Sequence, residues 1–177
     1  MQLRALMGED ATVFHAFRLA ALSESPAAFG STYAEEAGMS LTAVAEGLAP
    51  DPTGVPRAVL GAFAPGGALV GMVGVYRERG VKRQHGATLW GMYVTPAHRG
   101  LGLGRRLLDA ALETARGWPG VARVSLTVVT ASAPARTLYL RAGFRSVGVD
   151  ADALRAHGVS YALEWMVLNF ARPGSPG

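Results

Sequence analysis

The chain has 177 residues, half of them hydrophobic, with 17 Lys and Arg against 13 Asp and Glu, a net charge of +4 and no cysteine. That length fits one domain that buries its own core, and the lack of cysteine excludes disulfide frameworks, thiolate metal sites and cysteine nucleophiles. The charge is too slight and too diffuse for a nucleic-acid surface, although it suits an anionic small molecule.

Met1–Met7 reads as a short strand, and Gly8, Glu9 and Asp10 follow at once, so the start lacks the apolar core of an export signal and a cytoplasmic protein is expected. Glu9–Leu22 carries Val13, Phe14, Phe17, Leu19 and Ala21 behind an acidic first turn, the pattern of an amphipathic helix. Ser31–Ala37 and Ser40–Leu48 predict two further short helices, each opened by a serine cap and separated by Gly38. After the turn cluster Asp51–Pro56, the runs Arg57–Ala64 and Ala68–Arg77 flank Pro65-Gly66-Gly67 as a hairpin. No apolar stretch approaches the roughly 20 residues of a membrane span. Arg77, Arg79, Lys82 and Arg83 form a solvated tip, and Ala87–Val94 completes an antiparallel meander.

Leu101–Trp118 shows a helical stripe of Leu103, Leu107, Leu108, Ala111, Leu112 and Ala115. Val121–Thr130 alternates Val124, Leu126 and Val128 inward with Arg123, Ser125 and Thr127 outward, as a strand does. Ala133–Ala142 is a short helix ended by Gly143, and Phe144–Val149 and Ser160–Phe170 are closing strands joined by a polar loop, Asp150–Val159. The fold class expected is α/β (mixed α+β): an antiparallel meander plus a central strand–helix–strand unit, with helices on both faces of one sheet. One domain is expected over residues 1–171, with 172–177 (RPGSPG) a frayed tail.

The densest chemical signal is Val94–Arg106 (VTPAHRGLGLGRR), between a strand and the strongest helix. Gly100, Gly102 and Gly104 leave successive N–H groups uncovered, and the helix behind them adds its unpaired amides and positive dipole end, which together suit a diphosphate. A Walker loop is excluded because Gly104 is followed by two arginines and Leu107 rather than Lys-Ser/Thr. The dinucleotide fingerprint fits poorly, because the glycines stand at alternate positions and the next strand ends Val129-Thr130 without an acid.

Arg99-x-x-Gly102-x-Gly104 after a strand ending Tyr93-Val94 resembles the acetyl-CoA signature of the GNAT superfamily of N-acetyltransferases, and Ser132–Phe144 (SAPARTLYLRAGF) is similar to that family's second cofactor segment. The likeness is strongest over Ala87–Val149, with Ser132 standing where the family usually has asparagine. It implies a twisted mixed sheet of about seven strands, with acetyl-CoA as acyl donor, an amine as acceptor, no metal, no nucleic-acid or membrane partner, and a monomer or homodimer. It further implies that the backbone of Met92, Tyr93 and Val94 pairs with the pantetheine arm. The diphosphate falls to Arg99, Gly100, Leu101, Gly102, Leu103, Gly104 and Arg105, and Ser132, Ala135 and Tyr139 complete the cofactor site.

The chemistry so implied is direct attack of an amine on the thioester, which needs no acyl-enzyme, with Tyr139 protonating the leaving sulfur. A phenol near ~10 serving a thiolate near ~8.5 is uphill by roughly 2 kcal/mol, so transfer must be concerted with C–S cleavage or the phenol tuned. A lysine amine costs about 4–5 kcal/mol to deprotonate at pH 7, whereas an α-amine near ~8 costs about 1.4 kcal/mol. Candidate bases are Glu35, Glu36, Glu78 and Glu164, of which Glu164 is favoured because it interrupts the apolar run Leu163–Leu168. His15 and His98 read as structural, and Leu19–Gly30 as a wall of the acceptor cleft. Two other readings remain open: a catalytically inactive CoA-binding regulatory module and a purely structural interaction domain.

Overall fold

Apolar residues at period two build seven strands, and the computed structural model, which describes residues 1–156 and 158–170, joins them in one sheet. These are β1 (Gln2–Ala5), β2 (Arg57–Phe63), β3 (Leu69–Arg77), β4 (Gly86–Val94), β5 (Arg123–Val129), β6 (Arg145–Ala156) and β7 (Val159–Asn169), in the order β1-β2-β3-β4-β5-β7-β6. Every neighbouring pair is antiparallel except β4–β5, whose connection is the crossover helix that parallel strands require. The mixed sheet, the meander and the strand–helix–strand unit are those expected from the sequence.

Helices cover both faces. On one, α4 (Leu103–Arg116) buries its whole stripe, Leu103 to Ala115, against Val73, Val75, Ala87, Leu89, Val124 and Leu126, with α5 (Ala133–Arg141) beside it. On the other, α1 (Ala11–Glu24), α2 (Tyr33–Ala37) and α3 (Leu41–Leu48) bring Phe14, Ala21, Val44 and Leu48 onto Val59, Met72 and Tyr93. Neighbouring Met72 and Val73 thus enter different cores, which is why β3 reads as a continuous apolar run. Each Leu or Val so buried contributes about 1.5–3 kcal/mol.

Two local expectations are corrected. The first short helix is capped by Thr32, not Ser31: Thr32 Oγ1 accepts from Glu35 N–H at 3.3 Å, and the Glu35 carboxylate accepts from Thr32 N–H at 2.7 Å. That reciprocal box needs the acid three residues after the cap, a spacing Thr32 has and Ser31 lacks. Ser40 does cap α3, accepting from Ala43 N–H at 3.2 Å. The expected loop Asp150–Val159 is largely strand, with Leu154, Arg155 and Ala156 of β6 paired to Tyr161, Ser160 and Val159 of β7. β6 is the sheet's edge, so its polar residues face water without leaving the ladder, and Asp152 fastens it to Arg155 and Ser160. The segment 172–177 and residue 171 lie outside the described residues.

Candidate active site

The sheet is incomplete at its parallel pair. β4 and β5 are in register at only three positions, Gly86–Arg123, Ala87–Val124 and Thr88–Ser125, where the two hydroxyls of the last rung lie 3.3 Å apart. Beyond Thr88 the strands part. Between the pairs Met72–Tyr93 and Gly74–Trp90, β4 sets two residues, Gly91 and Met92, against Val73 alone, a bulge made possible by Gly91 at φ +64°. The opening between the strands is a cleft of about 490 Å³, walled by Leu89–Val94 and Leu126–Val129, closed at one end by the N-termini of α4 and α5, and bordered by Ser25, Ala28 and Phe29.

Gly100 and Gly102 both adopt φ +75°, a left-handed conformation that strains other residues by about 1–2 kcal/mol. Gly102 is the N-cap of α4, and the N–H of Arg106 is the one that reaches back to its carbonyl, at 3.2 Å. The amides of Leu103, Gly104 and Arg105 therefore open the helix with no side-chain cap, beside its positive dipole end. Arg99 clamps this loop: Nε donates to the Val94 carbonyl at 2.9 Å, Nη2 donates to Glu24 at 2.9 Å, and the guanidinium lies 5.5 Å from the Tyr93 ring. Glu24 is held below the usual carboxylate range by hydrogen bonds from Ser25 and then Arg99, while burial, followed by Glu24, pushes the Tyr93 phenol up. Arg105 is tied to Asp109 at 2.8 Å on the outer face of the helix.

Across the cleft, Ser132 is the N-cap of α5 with its hydroxyl unspent on the helix. Tyr139 projects from α5 against Phe144 in an edge-on contact, ring centres 5.8 Å apart, and burial alone pushes its phenol up to about 12. Gly143, at φ +95°, turns the chain so that Phe144 N–H bonds to the Tyr139 carbonyl, locking the tyrosine's backbone.

The structure brings Met92, Tyr93, Val94, Arg99, Gly100, Gly102, Leu103, Gly104, Arg105, Ser132, Ala135 and Tyr139 around this one cleft. Leu101 adjoins it with its side chain in solvent. Glu164 does not line it. In the ladder it faces Val128, on the α5 side of the sheet, where Arg136 Nε donates to it at 2.6 Å and Nη2 at 3.3 Å. The Arg136 guanidinium, then Ser146, holds the buried Glu164 carboxyl below its ordinary range. A carboxylate with a depressed folded-state pKa adds stability above its unfolded value of ~4.3, and that contribution disappears as pH falls through the lower folded value. Glu164→Gln is accordingly expected to melt below the parent at pH 7, with the difference shrinking toward pH 3 in thermal scans.

The other candidate bases are also engaged. Glu35 caps α2, Glu36 receives a two-pronged bond from Arg18 at 2.9 and 2.7 Å, and Glu78 accepts from Thr88 and pairs with Arg83 at 3.0 Å. His15 donates to the Glu36 carbonyl and His98 bonds Thr95. Among the described residues no Asp, Glu or His lines the cleft.

Two residues were missed from sequence. Trp90 packs over Gly74, so closely that a Cβ built there would meet its indole at 2.0 Å. Arg18 is buried under the same wall, its guanidinium 4.5 Å over the Phe29 ring and 5.9 Å from Trp90, with Nη1 lacking a hydrogen-bond partner. Glycines inside strands 3 and 4, and an arginine within the apolar face of α1, were the available signals.

The model of the acetyltransferase (GNAT) family matches residues 27–144. The N-alpha-acetyltransferase RimI of Mycobacterium tuberculosis is 40% identical over 93 residues, a match that covers 52% of this chain and 56% of that protein, so the chain spans little more than half of the relative's length. Among solved structures, the ribosomal-protein-alanine N-acetyltransferase of Brucella melitensis superimposes with a TM-score of 0.80 at 23% identity, over 96% of this chain and 100% of the other. YncA of Salmonella typhimurium, solved with its cofactor acetyl-CoA, gives 0.74 at 22% identity, over 100% and 98% of the two chains. At such identities the structural likeness shows the fold.

Proposed function

The chain belongs to the acetyltransferase (GNAT) family, and from that membership we propose that it passes the acetyl group of acetyl-CoA directly to an α-amine within a ternary complex. The observation that carries the choice of amine is the cleft's composition. It offers bare helix amides at one end and a buried phenol across it, while no carboxylate or imidazole among its described lining residues can take a proton from the acceptor. In this reading the acceptor sheds its proton to water, which costs an α-amine about 1.4 kcal/mol at pH 7 and a lysine about 4–5 kcal/mol. Supporting the same class, the RimI relative is named for α-amine acetylation.

In this reading the amides of Leu103, Gly104 and Arg105 and the loop Gly100–Gly102 hold the diphosphate. The edge of Met92–Val94 that faces β5 has no strand partner and receives the pantetheine amides as an added strand, with Ser132 facing it and Ala135 small enough to let it pass. Arg99 holds the loop through Nε on the Val94 carbonyl and Nη2 on Glu24, and its Nη1 donors remain for the phosphates. The amine nitrogen attacks the thioester carbon, the C–S bond breaks, and the sulfur leaves as thiolate while the new amide's proton goes to solvent. Tyr139 stands on the thiolate's side. With its phenol at about 12, full proton transfer to a thiolate near ~8.5 would be uphill by about 5 kcal/mol, so we assign it a hydrogen bond that strengthens as sulfur gains charge. Glu164 positions α5 through Arg136 in place of the base role expected for it.

Thiol release measured with alanine amide, a lysine side-chain amine and acetyl-CoA across pH tests this. For an acceptor with no enzymic base, kcat/KM should rise about tenfold per pH unit up to the amine's pKa near ~8 and then level. Because the Tyr139 phenol stays protonated, no falling limb is expected below about pH 10. Faster turnover of the lysine amine at pH 7 would reject the α-amine assignment. Tight CoA binding with no turnover on any amine would make the chain a cofactor-binding module.

A further inference from the structure

A second cavity, of about 280 Å³, lies on the α1–α3 side of the sheet and shares one wall with the cleft. That wall is Trp90, the residue that borders both spaces, held over Gly74. The floor is apolar, with Val55, Val59 and Tyr76, and three guanidiniums, Arg57, Arg77 and Arg79, stand at its rim against one carboxylate, Asp51. Asp51 takes Arg79 at 2.6 Å and Arg57 at 3.6 Å, and Arg77 spends Nε on the Gln84 carbonyl at 2.7 Å. The rim keeps two uncompensated positive charges and several unused N–H donors.

We propose that this cavity receives the acceptor's body: a peptide whose N-terminal amine lies in the cleft and whose following residues pass Trp90 to set an acidic side chain against the arginines. This deepens, and rests on, the α-amine reading above. A free amino acid is too short to occupy both spaces, since crossing a ring takes two or more residues at about 3.4 Å each. An apolar floor beneath a cationic rim accepts an aliphatic residue followed by an acidic one, and rejects a basic one by like charge.

The test is thiol release from acetyl-CoA with alanine amide and with tetrapeptide amides Ala-Leu-Asp-Asp, Ala-Leu-Asn-Asn and Ala-Leu-Lys-Lys. Expected is a kcat/KM order acidic, neutral, basic, with steps of roughly tenfold. Arg79→Glu should reverse the acidic and basic peptides, and Val55→Trp, which fills the floor, should raise the tetrapeptide KM relative to that of alanine amide. Equal rates for all three peptides, or turnover of alanine amide and of none of the peptides, overturns the second cavity while leaving the α-amine reading intact. No turnover of any of the four, with CoA still bound in a thermal-shift assay, overturns both.

Discussion

Gly102→Asp is expected to abolish acetyl-CoA binding while the protein still folds. Two effects separate cleanly at this position. Gly102 sits at φ +75°, so any side chain adds about 1–2 kcal/mol of backbone strain, yet nothing lies within 4 Å of where its Cβ would be, so the free protein suffers no clash. The carboxylate would instead stand at the uncapped start of α4, where it bonds the amides that the diphosphate needs and repels the diphosphate itself. Losing two charge-assisted N–H bonds of about 1.5–3 kcal/mol each predicts a Kd weaker by roughly 10²- to 10⁴-fold by calorimetry. Gly102→Ala carries the strain alone and should lose far less. Equal losses in the two variants would mean that backbone shape, not charge, governs the loop, and an unchanged Kd in the aspartate variant would move the diphosphate elsewhere.

Tyr139→Phe is expected to lower kcat about 10²-fold with little change in KM for acetyl-CoA or in Tm. The ring that meets Phe144 edge-on is kept, and the hydroxyl removed is one whose phenol is perturbed by burial alone, so packing is not disturbed. On the proposed mechanism only the hydrogen bond to sulfur is lost, and that bond matters as charge develops. A thioester with a leaving thiol of lower pKa should recover part of the rate. Equal kcat in parent and variant would return Tyr139 to a packing role.

Much of this site was legible because main-chain recognition writes itself into glycine spacing. Gly100 and Gly102 had to be glycines for their left-handed φ, and the stripe from Leu103 to Ala115 fixed which way α4 faces the sheet. Ser132–Phe144 was equally readable, since Gly143 marks where α5 stops. What escaped depends on register between distant strands. Glu164 looked free because its partner, Arg136, lies 28 positions away and meets it only once β7 is aligned with Val128 under α5. Trp90 looked like an ordinary strand aromatic until pairing set it opposite Gly74, and Asp150–Ala156 looked like a loop because an edge strand has no need of an apolar face.

The three-rung junction between strands 4 and 5 makes the sheet two leaves on a short hinge line, one leaf of β1 to β4 and one of β5, β7 and β6, with α4 laid across as the strap. Parting the leaves breaks far fewer backbone bonds than opening either one, so deuterium should enter at Leu89–Val94 before it enters at Val70–Val75. A bound pantetheine arm would stitch the free margin, and the same amides would then exchange last.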